Sequence, residues 1–176
     1  MSNKQCRIMI TKKCNLRCSY CLMKNEELMA TFKPATIEEI LKKEYSAYCI
    51  TGGEPFYNIY TQCSALQLAV MIKETYNKPI YLYTNGTHIE PLRGWLGGHR
   101  SIELFDGINI SLHRKIPYKT LVRVHRYCPV RVHRQDTKID ARLIHFCATN
   151  KMALKIWHKD DCTTVPEDRF ILKEGD

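Results

Sequence analysis

Cys14, Cys18 and Cys21 fall inside eight residues and form the densest group of reactive side chains in the sequence. They lie in the run Thr11-Lys12-Lys13-Cys14-Asn15-Leu16-Arg17-Cys18-Ser19-Tyr20-Cys21, a Cys-x3-Cys-x2-Cys loop that follows a short apolar, strand-like segment. Three thiolates this close face one centre only if they share a metal or a cluster. A structural zinc site is closed and takes four N or S ligands, usually in paired Cys-x2-4-Cys form. No fourth Cys or His follows nearby, the next His being His88. An iron–sulfur cube has four irons and ordinarily takes four thiolates, so three local thiolates leave one iron open to a ligand from outside the protein. Lys12, Lys13 and Arg17 favour the thiolate over the thiol. Zinc stays open as a reading, with Cys49 or a distant residue as the fourth ligand.

Three further motifs follow. Thr51-Gly52-Gly53-Glu54-Pro55 succeeds the apolar run at 47–50, Thr84-Asn85-Gly86-Thr87 succeeds the run at 79–83, and Asn109-Ile110-Ser111-Leu112-His113 ends the run at 106–112. Taken singly, a Gly-Gly-Glu-Pro is an ordinary turn and a Thr-Asn-Gly-Thr a hairpin-type signal. Together, in this order and behind a three-Cys loop with an aromatic residue (Tyr20) before its last Cys, they resemble the radical S-adenosylmethionine (SAM) superfamily over about residues 5–113. The resemblance implies a [4Fe-4S] cluster on Cys14, Cys18 and Cys21, with SAM on the open iron. It implies that Gly52 and Gly53 admit the methionine amino group to the backbone and that Glu54 accepts from that amine or from the ribose. It places Tyr20 near the adenine, and Thr84, Asn85 and Ser111 within reach of sugar or carboxylate. It also implies a flavodoxin- or ferredoxin-like electron donor. Among small members, 7-carboxy-7-deazaguanine synthases share the Thr-Gly-Gly-Glu-Pro and Thr-Asn-Gly patterns but usually carry Asp-Thr after the last cluster Cys, where this chain has Leu22-Met23. Activating enzymes of anaerobic ribonucleotide reductase usually have Ser before Gly-Gly, where this chain has Thr51.

The elements that must carry these motifs alternate short β-rich runs with helical ones, the pattern of βα units on a parallel sheet. Strands are expected at 5–10, 47–50, 80–83 and 108–112, with weaker candidates at 130–133 and 154–157. Helices are expected at 36–45, capped by Thr36, at 60–76 with Leu66, Leu68, Ala69, Met71 and Ile72 on its apolar side, at 91–96 ended by Gly97-Gly98, and at 118–126. Five or six such units in 176 residues predict an α/β fold, an open partial (β/α) barrel with a mostly parallel sheet. Each motif then lies at the carboxyl end of a strand, where such sheets place their ligands. Residues 1–176 are read as one domain, with a core of about 5–135 and residues 136–176 as an extension or cap.

Composition narrows the class. A hydrophobic fraction of 44% with only 8 Gly and 7 Pro supports a packed core and excludes a disordered or fibrous chain. Nine Cys is an odd number, and the polar N-terminus has only Ile8-Met9-Ile10 as an apolar run, so neither a disulfide framework nor a secretory signal is indicated. No stretch reaches the ~18 apolar residues needed to span a bilayer. The expected setting is the cytoplasm, with reduced thiols and no membrane partner. Cys6, Cys49, Cys63, Cys128, Cys147 and Cys162 read as small buried hydrophobes. Spacings of 19 and 15 residues between Cys128, Cys147 and Cys162 match no compact auxiliary cluster.

Of the net charge of +9, residues 111–176 carry +6, and residues 112–134 hold seven Lys/Arg, three His and no acid. An anionic small molecule, a nucleotide, an acidic partner protein or a nucleic acid is the substrate or partner this favours. A colourless zinc module contacting RNA through its basic half is the alternative from a different class.

Overall fold

The computed structural model describes residues 4–19, 21–89, 101–113, 116–135, 140–157 and 167–173. The described residues build eight strands: β1 (Gln5–Met9), β2 (Lys33–Ala35), β3 (Ala47–Thr51), β4 (Ile80–Thr84), β5 (Gly107–Ser111), β6 (Val130–Gln135), β7 (Ala153–Trp157) and β8 (Glu167–Leu172). They form one sheet in the order β2-β8-β1-β3-β4-β5-β6-β7, and every pairing is parallel. No pairing among the described residues joins β7 to β2, so the barrel is partial and open, as the alternation of elements predicts.

Among the described residues five α-helices accompany the strands: α1 (Glu26–Ala30), α2 (Ile37–Ile40), α3 (Ile59–Tyr76), α4 (Tyr118–His125) and α5 (Ala141–Thr149). Helix α3 forms where expected because Ala65, Leu66, Leu68, Ala69 and Ile72 recur at helical spacing and are fully buried. Asn58 and Thr61 close a capping box at its start, and Asn77 ends it in the left-handed conformation at φ 49°. Successive strand residues point to opposite faces. Cys6, Ile8, Ile50, Leu82, Ile108 and Val132 point outward into one core shared with α3, α4 and α5, whereas the alternate residues Arg7, Met9, Thr51, Tyr83, Ser111, Arg131 and His133 line a concave inner wall.

Helix α2 is a single turn, although a helix through residue 45 is expected. The Thr36–Glu39 capping box starts it as read, but only Ile37 and Ile40 have a buried face to offer, and Lys42 to Glu44 are exposed. Ending there lets the chain bring Tyr45 into the core, edge-on to Tyr48 at a ring separation of 5.6 Å. The expected helix at 91–96 lies outside the described residues. Segment 136–176, read as an extension or cap, contributes α5, β7 and β8. Strand β8 is inserted between β1 and β2, in register with β1 from Gln5↔Glu167 to Met9↔Ile171.

Charge holds β8 on both faces. Inward, Arg7 donates through Nε to both oxygens of Glu167 at 2.9 Å, and Arg169 Nε donates to Oε1 at 2.7 Å. Outward, Asp168 pairs with Lys4 and accepts from Lys43 Nζ and Tyr45 Oη, each at 3.0 Å. Partial burial would raise the Asp168 pKa, but the hydrogen bonds from Lys4, Lys43 and Tyr45 outweigh it and hold the carboxyl at about 2, below the ordinary 3.8. A depressed carboxyl stabilises the fold above its unfolded pKa and loses that contribution as pH falls toward the folded value. Asp168→Asn is therefore expected to cost about 1–2 kcal/mol at neutral pH, after allowance for solvent screening. The gap between parent and variant urea midpoints should shrink progressively below pH 4; a gap independent of pH would refute the assignment.

Candidate active site

The loop after β1 is laid against the turn after β3. Ile10 donates its N–H to Thr51 O (2.9 Å), Gly53 to Thr11 O (2.7 Å) and Glu54 to Lys13 O (2.9 Å). This close approach requires glycine. A Cβ on Gly53 would sit 2.2 Å from the Lys13 carbonyl oxygen and 2.6 Å from that of Lys12, and a Cβ on Gly52 would sit 2.7 Å from Thr11 O. The contacts are with backbone, which cannot swing aside as a side chain can. The first close neighbour that Gly52 and Gly53 admit is thus the protein's own cysteine loop.

The same loop is fastened to the end of β4. Asn85 Nδ2 donates to Asn15 Oδ1 (2.8 Å), Asn15 Nδ2 to Thr87 Oγ1 (2.6 Å), and Thr87 Oγ1 to Asn85 Oδ1 (2.6 Å). Asn85 Nδ2 also lies 3.8 Å from Cys14 Sγ. Glu54, fully buried, joins β3 to β4: Oε1 accepts from Thr84 Oγ1 (2.6 Å) and Phe56 N–H (3.0 Å), and Oε2 from Asn85 N–H (2.7 Å). Burial pushes its carboxyl up, against these bonds, which favour the carboxylate. Gly86 completes the turn with a φ of 75°, in the left-handed region.

Cys14, Cys18 and Cys21 are all partly exposed and line one cavity of about 320 Å³ together with Gly52, Gly53, Thr84, Asn85 and Ser111. Tyr20 lies outside the described residues. Among the described residues no three His, Cys, Asp or Glu side chains converge on a single metal ion; ligands to different corners of one cube need not converge in that way, and three thiols open to a shared cavity fit a cluster better than a closed zinc site. Lys12, Lys13 and Arg17 are exposed, and burial is the larger influence on Cys14, pushing its thiol up despite the Leu16 N–H directed at its sulfur. Cys49 is buried in β3 and does not line this cavity. Cys128 donates to Phe105 O at 3.0 Å in the outer core, where burial lifts its thiol to about 12. Cys147 is likewise buried, and Cys162 lies outside the described residues.

Sequence reasoning missed most of the inner wall. Arg7, Tyr83, Glu167, Arg169 and Lys155 line the cavity, and the Arg7 guanidinium lies 4.9 Å over the Tyr83 ring. In the sequence His133 stands out only as part of the basic stretch. Its Nε2 is 2.9 Å from Asn109 Oδ1, an acceptor, so Nε2 carries the proton. Burial, reinforced by Lys155 and Arg131, lowers its pKa to about 4 and keeps it neutral at physiological pH. The signal was partly available: Arg7 stands two positions before the end of β1, which carries the thiol loop, and Glu167, Arg169 and His133 stand on strands paired with β1 or β5. Of the acid-free stretch, His113, Arg131 and His133 reach the cavity, while Lys119, Arg123 and Arg126 belong to α4 and its end.

The glycine contact has a measurable consequence. Gly53→Ala must lift the loop and break its two bonds to the turn, at about 2–3 kcal/mol. Iron and sulfide retained after anaerobic reconstitution should fall several-fold while far-ultraviolet circular dichroism stays that of the parent. Full iron content in the variant would show that the contact is not needed.

Comparison with known proteins agrees with this geometry. The chain is 28% identical to 7-carboxy-7-deazaguanine synthase of Prochlorococcus marinus over 171 residues, covering 92% of this chain and 71% of that protein. A model of the radical SAM superfamily matches residues 8–114, the stretch that runs from β1 past the end of β5 and builds the cavity rim. On that match the chain belongs to the radical SAM superfamily of enzymes.

Proposed function

We propose that this enzyme binds a [4Fe-4S] cluster and SAM in the cavity described above and that its radical acts on a second, anionic substrate. When bound, the cluster and SAM would supply one-electron reductive cleavage of the sulfonium C–S bond, fed by a flavodoxin- or ferredoxin-like donor, and with it a 5′-deoxyadenosyl radical able to take a hydrogen atom from the substrate. Cys14, Cys18 and Cys21 hold the cluster in this reading. Gly52 and Gly53 keep the loop seated and leave the rim free of side chains, so backbone groups can meet the methionine amine. Thr84 and Asn85 are held by Glu54, which acts as a positioning residue for the end of β4. Ser111, half-buried at the end of β5, is placed to meet sugar or carboxylate. Tyr20 is assigned to the adenine from the motif alone. The observation that carries the reading is that three thiols of one loop share a cavity with the carboxyl ends of β3, β4 and β5.

The experiment is anaerobic reconstitution followed by iron and sulfide counting and assay of SAM cleavage. The parent should be brown, hold about four irons, and form 5′-deoxyadenosine from SAM once reduced. Cys18→Ala should abolish both colour and cleavage. A colourless protein that binds zinc, or a variant that keeps either property, would overturn the cluster assignment.

One relative favours a narrower second reading. Its similarity extends over 92% of the chain, beyond the part matched by the superfamily model, and its name specifies 7-carboxy-7-deazaguanine synthesis. Leu22-Met23 in place of Asp-Thr after Cys21 argues for a difference at that position. Expression of this chain in cells lacking that synthase should restore 7-carboxy-7-deazaguanine if the reading is right; cells that stay devoid of it while the purified protein cleaves SAM would point to another substrate.

A further inference from the structure

The described residues of the barrel's inner wall carry more positive charge than they neutralise. Among the described residues, four cations line the cavity, namely Arg7, Arg131, Lys155 and Arg169, and one carboxylate faces them, that of Glu167. Glu167 is already shared, since Arg7 and Arg169 both bond to it and its side chain is only 2% exposed. Arg131 and Lys155 have no ion pair among the described residues, and both are exposed to the cavity. They are neighbours in the sheet: Lys155 on β7 is in register with His133, and Arg131 lies two residues before His133 on the same face of β6. His133 between them is tied to Asn109 and held neutral, so it adds a polar ring without competing for a counter-ion.

Unpaired cations on a concave wall keep their water until a ligand enters. Once that water is displaced, an oxyanion gains charge-assisted hydrogen bonds to both, and the two parallel N–H groups of a guanidinium suit a carboxylate or a phosphate in particular. Among the described residues, Lys119, Arg123 and Arg126 lie on α4 and its end and Arg134 bonds to the Leu112 carbonyl, and none of the four lines this cavity.

We propose that Arg131 and Lys155 form an oxyanion subsite on the inner wall, which takes the carboxylate or phosphate of the second substrate, a small organic anion. The proposal rests on the radical SAM reading for what happens beside the subsite, and on the wall itself for the binding.

The test is calorimetric titration of the reconstituted, SAM-loaded protein with two probes, inorganic phosphate and benzoate. One equivalent of at least one probe should bind, and the tighter of the two identifies the substrate's anionic group as phosphate or carboxylate. Arg131→Met and Lys155→Met should each weaken that binding at least tenfold. Arg131→Lys and Lys155→Arg, which keep the charge, should stay within a few-fold of the parent, and Lys42→Met, an exposed site away from the cavity, should bind like the parent. Unchanged affinity in both methionine variants would overturn the proposal. So would binding that occurs without SAM and vanishes when SAM is added, because the cations would then be holding SAM's own carboxylate. Tight binding of a single-stranded oligonucleotide, weakened by the same two substitutions, would overturn it in favour of a nucleic-acid surface. A parent that binds a probe but cleaves no SAM leaves the subsite standing and removes the radical reading. A parent that cleaves SAM but binds neither probe removes the subsite alone.

Discussion

The contact of Gly53 with the backbone of Lys12 and Lys13 is the constraint from which the rest of the site follows. Two strands that are neighbours in the sheet would ordinarily send their following loops apart, since each loop carries side chains. Here the turn after β3 has none at the two positions that matter, and the loop after β1 settles onto it through backbone hydrogen bonds. Those bonds satisfy polar groups that would otherwise be buried without partners. From that seat a series of polar fasteners runs across the rim, with Glu54 reaching Thr84 and Asn85, and Asn85 reaching back to Asn15 beside Cys14. The ends of β1, β3 and β4 and the thiol loop are therefore joined in one hydrogen-bonded network, and the loop's position is determined by covalently distant residues rather than by its own short sequence.

The sheet divides its two faces by chemistry. The outward face is apolar and shares one core with the helices, and the thiols of Cys6, Cys128 and Cys147 belong to it as small hydrophobes with raised pKa values. The inward face carries ions, and its central group is the pair of arginines on Glu167. Charges withdrawn from water must be paired and hydrogen-bonded to be tolerated, and the doubly bonded carboxylate meets that requirement for two cations at once. Arg7 gains a further contact from the Tyr83 face. The arrangement leaves the wall polar without leaving it unstable.

Much of this was legible in the sequence, and the parts that were not have identifiable reasons. The strand ends announce themselves because turns demand Gly and Asn, so Gly52, Gly53, Asn85 and Gly86 stand out, and the parallel alternation follows from the apolar runs between them. The inner wall does not announce itself. Parallel strands covered on both faces lose their polar–apolar alternation, and β3, Ala-Tyr-Cys-Ile-Thr, is buried at its first four positions. Strand β8 begins Glu-Asp-Arg and resembles a solvated segment until Glu167 meets Arg7, 160 positions away. The glycine pair was legible as a place of close approach, but nothing local says whose backbone comes close. Helix α2 stops early because Tyr45 is needed elsewhere, a tertiary demand that outweighs helical continuation.

The insertion of β8 between β1 and β2 also bears on how the molecule is made. Strand β1 leaves the ribosome well before its second neighbour, which follows some 160 residues later. Until then β1 exposes an unpaired edge of N–H and C=O groups, and Arg7 faces the cavity without its carboxylate. Closing so long a loop costs chain entropy before any contact returns it, which slows folding and concentrates the aggregation hazard on that edge. The wall that faces the thiol loop is thus completed only once β8 has been made, long after the loop itself. Whatever binds between the loop and that wall finds its full site only after β8 has arrived.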